Sequence, residues 1–448
     1  MAMPIDMQVD IMHRPPLLYY GDDFTGATDT LATAARGGLR SVLLFAPPDA
    51  ARLSALGTLD CLGIAGVSRS LAPAQMRDEL APIAELARRL RPRVLHYKVC
   101  STFDSAPEVG SIGAAVRTLA PSMPSAWTAI VGGQPSLGRY CLFGHLFAAA
   151  GAGGKVFRID RHPTMSRHPV TPMHEADLRR HLAAQGLQDI DLMPWTRYAP
   201  DAKASLGANL DALLNAGASN VLWDVATTED LAQIGEQLWR HAQSAPLLAV
   251  GASSVTQALA SAMPRHCEAT TDDVAPARGA VLVLAGSLSP ITAMQVRAAK
   301  SFDVVRLDAA RLIEADGRYC AEAAATLAAR LRADRHTLAC TVPVDDTSSE
   351  TSPRAVPPLA LAQAGGRLLR QVLAAAPVSR LAIAGGDTSS HGVRALDAWG
   401  LTYAGTLAAG APLCRLRSDS PALDGMEILL KGGQMGGEDL FERLVQGT

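Results

Sequence analysis

The chain has 448 residues, 48% of them hydrophobic and only 4% aromatic, with 41 basic against 43 acidic residues and a formal net charge of −2. That length exceeds what one hydrophobic core usually serves, so two domains are expected. The near-neutral balance excludes a sequence-wide basic field for nucleic acid or an anionic membrane, which leaves a small molecule as the expected partner.

Residues 1–15 form a tail without an apolar signal region, and no later run approaches the length of a membrane span. Seven cysteines at 61, 100, 141, 267, 320, 340 and 414 have no CxxC spacing, which speaks against a zinc site or a disulfide framework and for reduced thiols in the cytoplasm. The first predicted strand is Pro16–Tyr20, and Gly21-Asp-Asp-Phe-Thr-Gly-Ala-Thr-Asp29 supplies the loop and helix start that follow it. Ligands of parallel sheets bind at the carboxyl ends of strands, so Asp22 and Asp23 stand where chemistry is done. One aspartate suffices to cap a helix; two in succession assign at least one of them to a site. Strands follow at Ser41–Phe45, Asp60–Gly66 and Arg93–Lys98, with an amphipathic helix over Pro73–Leu90. Lys98 closes an apolar strand, where an unpaired ammonium is costly to bury; an anionic ligand or a structural carboxylate would relieve that cost. Ser101, Thr102, Asp104 and Ser105 behind it suit a polyhydroxylated substrate, and Cys100 reads as a small core residue.

Ala129–Val131 and Gly132-Gly-Gln-Pro-Ser-Leu-Gly-Arg139 give another strand and a glycine-rich loop. The prolines of Arg158–Met173 exclude a regular helix, so its histidines and arginines lie on a constrained loop. His162 and His168 lack a further ligand at metal spacing. Arg167 with His168 is the pair expected to recognise a carboxylate, the alternative being a solvated basic loop. A strand at Asn220–Val225, a helix over Thr228–Ala242 and a strand at Leu247–Val250 lead into Gly251-Ala-Ser-Ser254 and another helix. The first domain is expected over 16–266, and residues 267–278, which lose apolar periodicity, form the linker.

The second domain, 279–448, opens with the apolar strand Ala280–Ala285, then Gly286-Ser287, with Ser289 as a helix cap and Pro290 at the first helical position. Val304–Leu307 and Thr337–Val342 are further strands, and the polar run 345–353 is expected as an exposed connection or a lid. Leu381–Ala384 then runs into Gly385-Gly386, followed by Asp387 and Thr388 as helix-capping types and a helix. A strand, a glycine turn and a helix start point free N–H groups and a positive helix end at one spot, and the missing Cβ atoms let a phosphate approach. Gly286-Ser287 repeats the arrangement, and Lys431-Gly-Gly433 after a strand from Ile428 is a third such element. Neither GxxxxGK[ST] nor a strand–GxGxxG–helix fingerprint is present, yet three anion-compatible strand ends in one domain predict a nucleotide.

Several stretches resemble the four-carbon acid sugar kinases, in family order and across nearly the whole chain. They are Gly21–Asp29, Tyr97-Lys-Val-Cys-Ser-Thr-Phe-Asp-Ser105, Gly138–Phe147, His168-Pro-Val-Thr-Pro-Met173, Gly286-Ser-Leu-Ser289, Ala384-Gly-Gly-Asp-Thr388 and Leu430-Lys-Gly-Gly-Gln-Met-Gly436. The resemblance implies an amino-terminal acid-sugar-binding domain, a carboxy-terminal ATP-binding domain, and phosphorylation of a terminal hydroxyl on a small sugar acid. The fold expected is α/β, with two domains, each a mainly parallel sheet flanked by helices, and the active site in the cleft between them. Carried over, Asp22, Asp23, Lys98 and Ser101 belong to the substrate side, and Ser287, Gly385, Gly386, Asp387, Thr388 and Gly433 to the nucleotide side. The segment Lys98–Ser105 is closer to the 3-oxo-tetronate kinase branch than to the Lys-x-Asp-Ser-Thr-Leu-Arg-Gly form of many members. The terminal Lys431-Gly-Gly-Gln-Met-Gly436 replaces the usual Lys-Ser-Gly-Asn-Phe-Gly, which leaves the acid sugar open between a four-carbon tetronate, its oxo form and a branched oxo-acid such as 3-oxoisoapionate. Expected roles are Asp23 as base, Asp22 on a substrate hydroxyl with the two exchangeable, and Lys98 and Arg167 on the substrate carboxylate, with Mg2+ bridging the phosphates of ATP. A homodimer is compatible with this reading. The rivals are a non-catalytic sugar-acid binding protein and, against the missing dinucleotide fingerprint, a dehydrogenase.

Overall fold

The computed structural model describes residues 14–151, 153–198, 205–265, 267, 272–286, 289–341, 356–433 and 435–448. The chain divides into two compact units, Met1–Thr270 and Thr271–Thr448, each α/β.

In the first unit the strands are β1 (Leu17–Gly21), β2 (Ser41–Leu44), β3 (Cys61–Ala65), β4 (Val94–Lys98), β5 (Thr128–Val131), β6 (Arg139–Leu142), β7 (His145–Ala149), β8 (Val156–Arg158), β9 (Ile190–Met193), β10 (Asn220–Trp223) and β11 (Leu247–Gly251). The helices are α1 (Phe24–Arg36), α2 (Ala50–Leu56), α3 (Pro73–Leu90), α4 (Ile112–Leu119), α5 (Leu178–Ala183), α6 (Leu206–Asn215), α7 (Thr228–Ser244) and α8 (Ser253–Ala262). Eight strands form a parallel array in the order β2-β3-β1-β4-β11-β5-β10-β9. The central strands β1, β4 and β11 are buried along their whole length, as continuous apolar runs require when helices cover both faces. From β1 the chain passes to β2 and back to β3 on one side, then places β4 on the other side of β1. Strand order therefore reverses between β1 and β4, the place at which open parallel sheets bind ligands, and the register there pairs Gly21 with Lys98.

Residues 139–158, which read from sequence as a loop and its continuation, form a separate antiparallel sheet, β6-β7-β8. Strands of three to five residues are too short to show a period, and what fixes them is remote. The Phe143–Gly144 turn, with φ of 52° and 80°, donates both N–H groups to the buried Asp224 carboxylate after β10, at 2.6 and 2.9 Å.

The second unit contains β12 (Val281–Ala285), β13 (Asp303–Arg306), β14 (Thr337–Cys340), β15 (Arg380–Ala384), β16 (Gly400–Ala408), β17 (Ala411–Arg417) and β18 (Glu427–Lys431). Its helices are α9 (Pro290–Ala298), α10 (Ala309–Leu312), α11 (Arg318–Arg332), α12 (Pro358–Ala375), α13 (Gly386–Arg394) and α14 (Leu440–Gln446). Strands β13-β14-β12-β15-β18 are parallel, and β17 and β16 add antiparallel beyond β18. Order reverses again between β12 and β15, where Ala285 pairs with Ala384. The hairpin β16–β17 is hidden in the sequence because register shifts between Tyr403 and Gly405 and between Thr406 and Ala408 break the two-residue alternation. Residues 272–278, expected as linker, attach to this unit: Asp272 O accepts from Thr406 N–H at 3.1 Å, and Val274 lies in the core with Val283, Leu413 and Leu444. No helix among the described residues is long and apolar enough to cross a membrane.

Helices α7 and α8 touch backbone to backbone at Gly235, where an added Cβ would stand 1.9 Å from Ala258 O. A Gly235→Ala substitution, favourable by helix propensity, is expected to destabilise the protein by about 1–3 kcal/mol, because a backbone atom cannot rotate away. Urea-induced unfolding of the two proteins measures the sign.

Candidate functional site

At the reversal point of the first unit the sheet continues one residue past β1. Asp22 N–H donates to Lys98 O at 3.0 Å, and Arg69 N–H donates to Asp22 O at 3.1 Å, so neighbouring strand ends hold the Asp22 backbone from both sides. Asp23 is the N-cap of α1, accepting from Gly26 N–H at 2.8 Å and from the Thr25 hydroxyl at 2.7 Å. One guanidinium joins the two carboxylates. Arg69, in the helical turn Ser68–Ser70 behind β3, donates Nε and Nη2 to Asp22 at 3.0 and 2.7 Å, and Nη1 and Nη2 to Asp23 at 3.0 Å each. The buried Lys98 ammonium packs against Gly26, where a Cβ would come within 2.0 Å of it. Glycine is needed at that position for the helix start to approach the ammonium so closely.

The two aspartates differ in proton affinity. Burial raises Asp22 above the usual carboxylate range despite the Arg69 charge. Burial opposes the Asp23 charge as well, but Arg69, Lys98, Thr25 and the Gly26 N–H together hold it below that range. Each Asp23 oxygen accepts two of these hydrogen bonds and each Asp22 oxygen one, so Asp22 keeps the more available lone pairs. Asp22 is therefore the member of the pair with the higher proton affinity.

Behind β4, Thr102 donates to Asp104 at 2.5 Å, and Ser101 is nearly buried beside them. Cys100, expected as a core residue, is half-buried, and desolvation pushes its thiol up to about 11, away from a reactive thiolate. Six residues beyond Asp23 lies a second polar group: Asp29 accepts from Ser253 at 2.5 Å and from Gln134 at 3.2 Å, bringing the ends of β11 and β5 to α1. Arg69, Gln134 and Ser253 carry no assignment from sequence; the only signal is that each follows a strand. Arg167 is exposed, and His168 accepts from Thr171 within its own loop at 3.0–3.1 Å. Among the described residues neither is joined to the Asp22–Asp23–Arg69 group by a hydrogen bond or ion pair. Arg139 donates Nη1 to the carbonyls of Leu137 and Ala149, at 2.5 and 3.4 Å. Its backbone pairs with Gln134, burial lowers its pKa with the Cys100 thiol as a nearby partner, and no carboxylate among the described residues pairs with it.

In the second unit, Gly286 N–H donates to Ala384 O at 3.0 Å and Gly385 N–H to Lys431 O at 2.9 Å, tying the ends of β12, β15 and β18 in a row. Gly385 has φ of 126°, and α13 begins at Gly386 without a side-chain cap. The first bond inside the helix runs from Ser389 N–H to Gly385 O, so the N–H groups of Gly386, Asp387 and Thr388 precede the intrahelical ladder. A Cβ at Gly386 would meet nothing within 4 Å, whereas one at Gly286 would strike the Thr388 hydroxyl at 2.5 Å. Lys431 is fully buried, donates to Thr292 Oγ1 at 3.0 Å, and has its pKa lowered by burial to about 8. Thr292 donates onward to Gly433 O, and the Gln295 amide donates to the carbonyls of Met435, Gly436 and Gly437, turning this loop's carbonyls onto α9. Ser287 and the 345–353 run lie outside the described residues.

Two family models cover most of the chain: a sugar-binding N-terminal domain matches residues 17–259 and a nucleotide-binding C-terminal domain matches 282–441. A 3-oxo-isoapionate kinase of Paraburkholderia graminis is 36% identical, over 96% of this chain and 94% of that protein. A 3-oxo-tetronate kinase of Methylobacterium radiotolerans is 32% identical, over 94% and 96%. This chain belongs to the four-carbon acid sugar kinase family. Among solved structures, a Salmonella typhimurium protein titled a putative tRNA synthase aligns at a TM-score of 0.77 and 23% identity, covering 95% of this chain and 98% of its own. A Haemophilus influenzae protein of the DUF1537 family aligns at 0.71 and 23%, covering 96% and 99%. At that identity they show the shared fold. In this acid sugar kinase family member, the reversal point with Asp22, Asp23 and Lys98 falls in the sugar-binding match, and the one with Gly385 and Lys431 falls in the nucleotide-binding match.

Lys431 supplies a test of the second group without ligand. Below pH 8 the folded chain must hold a buried ammonium that the unfolded chain keeps in water; above it, the folded group is neutral while the unfolded one stays protonated up to its ordinary pKa. The unfolded state thus binds more protons between about pH 8 and 10.5, and this residue's contribution to stability rises with pH across that window, by roughly a few kcal/mol in full. In Lys431→Met that rise is expected to disappear, as measured by the difference in unfolding free energy between pH 7 and pH 10.

Proposed function

We infer that this protein is an ATP-dependent kinase of small acid sugars, and we propose that its acceptor is a terminal hydroxyl of a branched 3-oxo acid of the 3-oxo-isoapionate kind. The observation that carries the acceptor is the 36% identity over nearly the full length of the 3-oxo-isoapionate kinase, against 32% for the 3-oxo-tetronate kinase compared. A straight-chain 3-oxo-tetronate is the second reading, favoured by that second relative and by the Lys98–Ser105 segment.

The acid sugar would sit at the ends of β1, β4, β5 and β11. Lys98, whose charge acts on Asp22 and Asp23 without a hydrogen bond to either among the described residues, and Arg139, which has no carboxylate partner among them, are suited to its carboxylate, a role that sequence assigns to Lys98 and Arg167. Ser101, Thr102 and the Asp29–Gln134–Ser253 group are suited to its hydroxyl and oxo groups. Asp22 would accept the proton of the terminal hydroxyl as that oxygen bonds to the γ-phosphorus. The bond from the γ-phosphorus to the bridging oxygen breaks, and ADP leaves with the electron pair. The nucleotide phosphates would lie on the N–H groups of Gly386, Asp387 and Thr388, with Gly433 on the neighbouring loop and Lys431 behind it as a buried positive charge. Among the described residues no three His, Cys, Asp or Glu side chains gather into a metal cage. A Mg2+ ion carried on the phosphates, with Asp387 as the protein carboxylate at hand, fits that donor set and would neutralise charge in the transfer. We place the reaction in the cytoplasm, where ATP is supplied and the seven unpaired cysteines stay reduced.

Release of ADP from MgATP with a panel of tetronates, their 2- and 3-oxo forms and branched five-carbon acids tests the reading. Turnover is expected with a branched 3-oxo acid; binding of ATP without turnover of any member would remove the acceptor assignment, and no ATP binding would remove the kinase. On the best acceptor, Asp22→Asn is expected to lower kcat by ~10²–10⁴ with KM changed far less. Equal loss in Asp23→Asn and full activity in Asp22→Asn would return the base to Asp23.

A further inference from the structure

Asp22 and Asp23 are adjacent in sequence and share one cation, but they do not depend on it equally. Asp23 is also held by Gly26 N–H and Thr25, as the cap of α1. The Asp22 carboxylate accepts hydrogen bonds from Arg69 alone among the described residues. Arg69 is itself anchored: its N–H is bound to Asp22 O, and its carbonyl backs onto Gly110, where a Cβ would lie 2.5 Å from that oxygen at a φ of 60°. Four hydrogen bonds occupy four of the five guanidinium N–H groups, and the side chain remains 25% exposed. A lysine, a point charge with no planar fork, cannot reproduce that pattern.

We propose that Arg69 is a positioning residue of the transfer reaction, a clamp on both carboxylates that acts through Asp22 by fixing the direction in which its free lone pairs face the acceptor hydroxyl. The proposal rests on the kinase reading with Asp22 as proton acceptor. The other charged and titratable groups around the pair are Lys98, which acts on both aspartates from the end of β4, Tyr97 next to Asp22, and Cys100 and Asp104, which act on Arg69 from the loop behind β4. Without the guanidinium, Lys98 is the remaining cation of this group, and among the described residues it makes no hydrogen bond to either carboxylate. Asp22 then takes up a proton more readily next to the charged Asp23, and its side chain is free to turn.

The experiment uses the full chain and compares wild type, Arg69→Lys, Arg69→Ala and Arg69→Met. With MgATP and the acid sugar that the wild type turns over, kcat is expected to fall ~10²-fold or more in Arg69→Ala, with the KM for ATP unchanged. The acidic limb of its pH–kcat profile moves to higher pH, and millimolar guanidinium restores part of the rate. Arg69→Lys is expected to recover little. In the absence of ligands, the Tm of Arg69→Met is expected to drop below wild type increasingly as pH rises from 4 to 8, and Asp22→Asn in that background to remove the pH dependence. A uniform loss of rate with the wild-type pH profile and no guanidinium rescue overturns the proposal, as does a Tm difference that does not change with pH. Should the wild type turn over no acid sugar, the acceptor assignment fails, or the kinase reading itself where ATP does not bind, and the pH dependence of unfolding alone decides whether Arg69 clamps the pair.

Discussion

Everything in this molecule that bears on chemistry follows from a constraint of parallel sheets: where strand order reverses, successive crossovers leave in opposite directions and the loops at the carboxyl ends part. The chain meets that condition twice, between β1 and β4 and between β12 and β15. Both pairs are centred in their arrays, with the strands buried along their whole length. The scaffold is therefore at its most rigid where the loops open, and a side chain that follows such a strand is placed by the sheet rather than by its own loop. Asp22, with its N–H and carbonyl still in register with both neighbours, is the clearest case.

The two reversal points handle buried charge in opposite ways. In the first unit, anions and cations are brought together: two carboxylates, one bridging guanidinium and one ammonium. Such a group is stable only while its geometry is kept, since loss of one partner leaves a buried charge uncompensated. At the second reversal point, Lys431 is a buried cation whose one side-chain hydrogen bond among the described residues goes to a hydroxyl, and burial depresses its proton affinity accordingly. Among the described residues no carboxylate pairs with that ammonium, and the first-turn N–H groups of α13 precede its hydrogen-bond ladder.

Much of this is legible in the amino-acid sequence, for a local reason. A strand terminus, a glycine turn and a helix cap are contiguous, so Asp22-Asp23, Gly385-Gly386 and Lys431-Gly-Gly433 announce themselves within a few residues. Arg69 does not, although it stands directly after β3, because an arginine after a strand is ordinary until β3 is known to neighbour β1. Gln134 and Ser253 are silent for the same reason, since they meet Asp29 across more than a hundred residues. Arg167 and His168 are conspicuous in sequence through density of charge, yet the first is exposed and the second satisfied within its loop. The hairpins β6–β7 and β16–β17 leave no periodic trace because a remote carboxylate contact sets the first and register shifts break the second.

The sequence by itself determined the class of the fold, the existence of the strand-end loops and the chemistry they carry, since backbone conformation and side-chain type are properties of neighbours along the chain. Only the tertiary structure decided which loops share a reversal point, that one guanidinium serves both aspartates, and that Asp22 accepts fewer hydrogen bonds than Asp23. Those depend on strand order and burial, which arise from contacts between residues far apart in the chain. No local pattern encodes them.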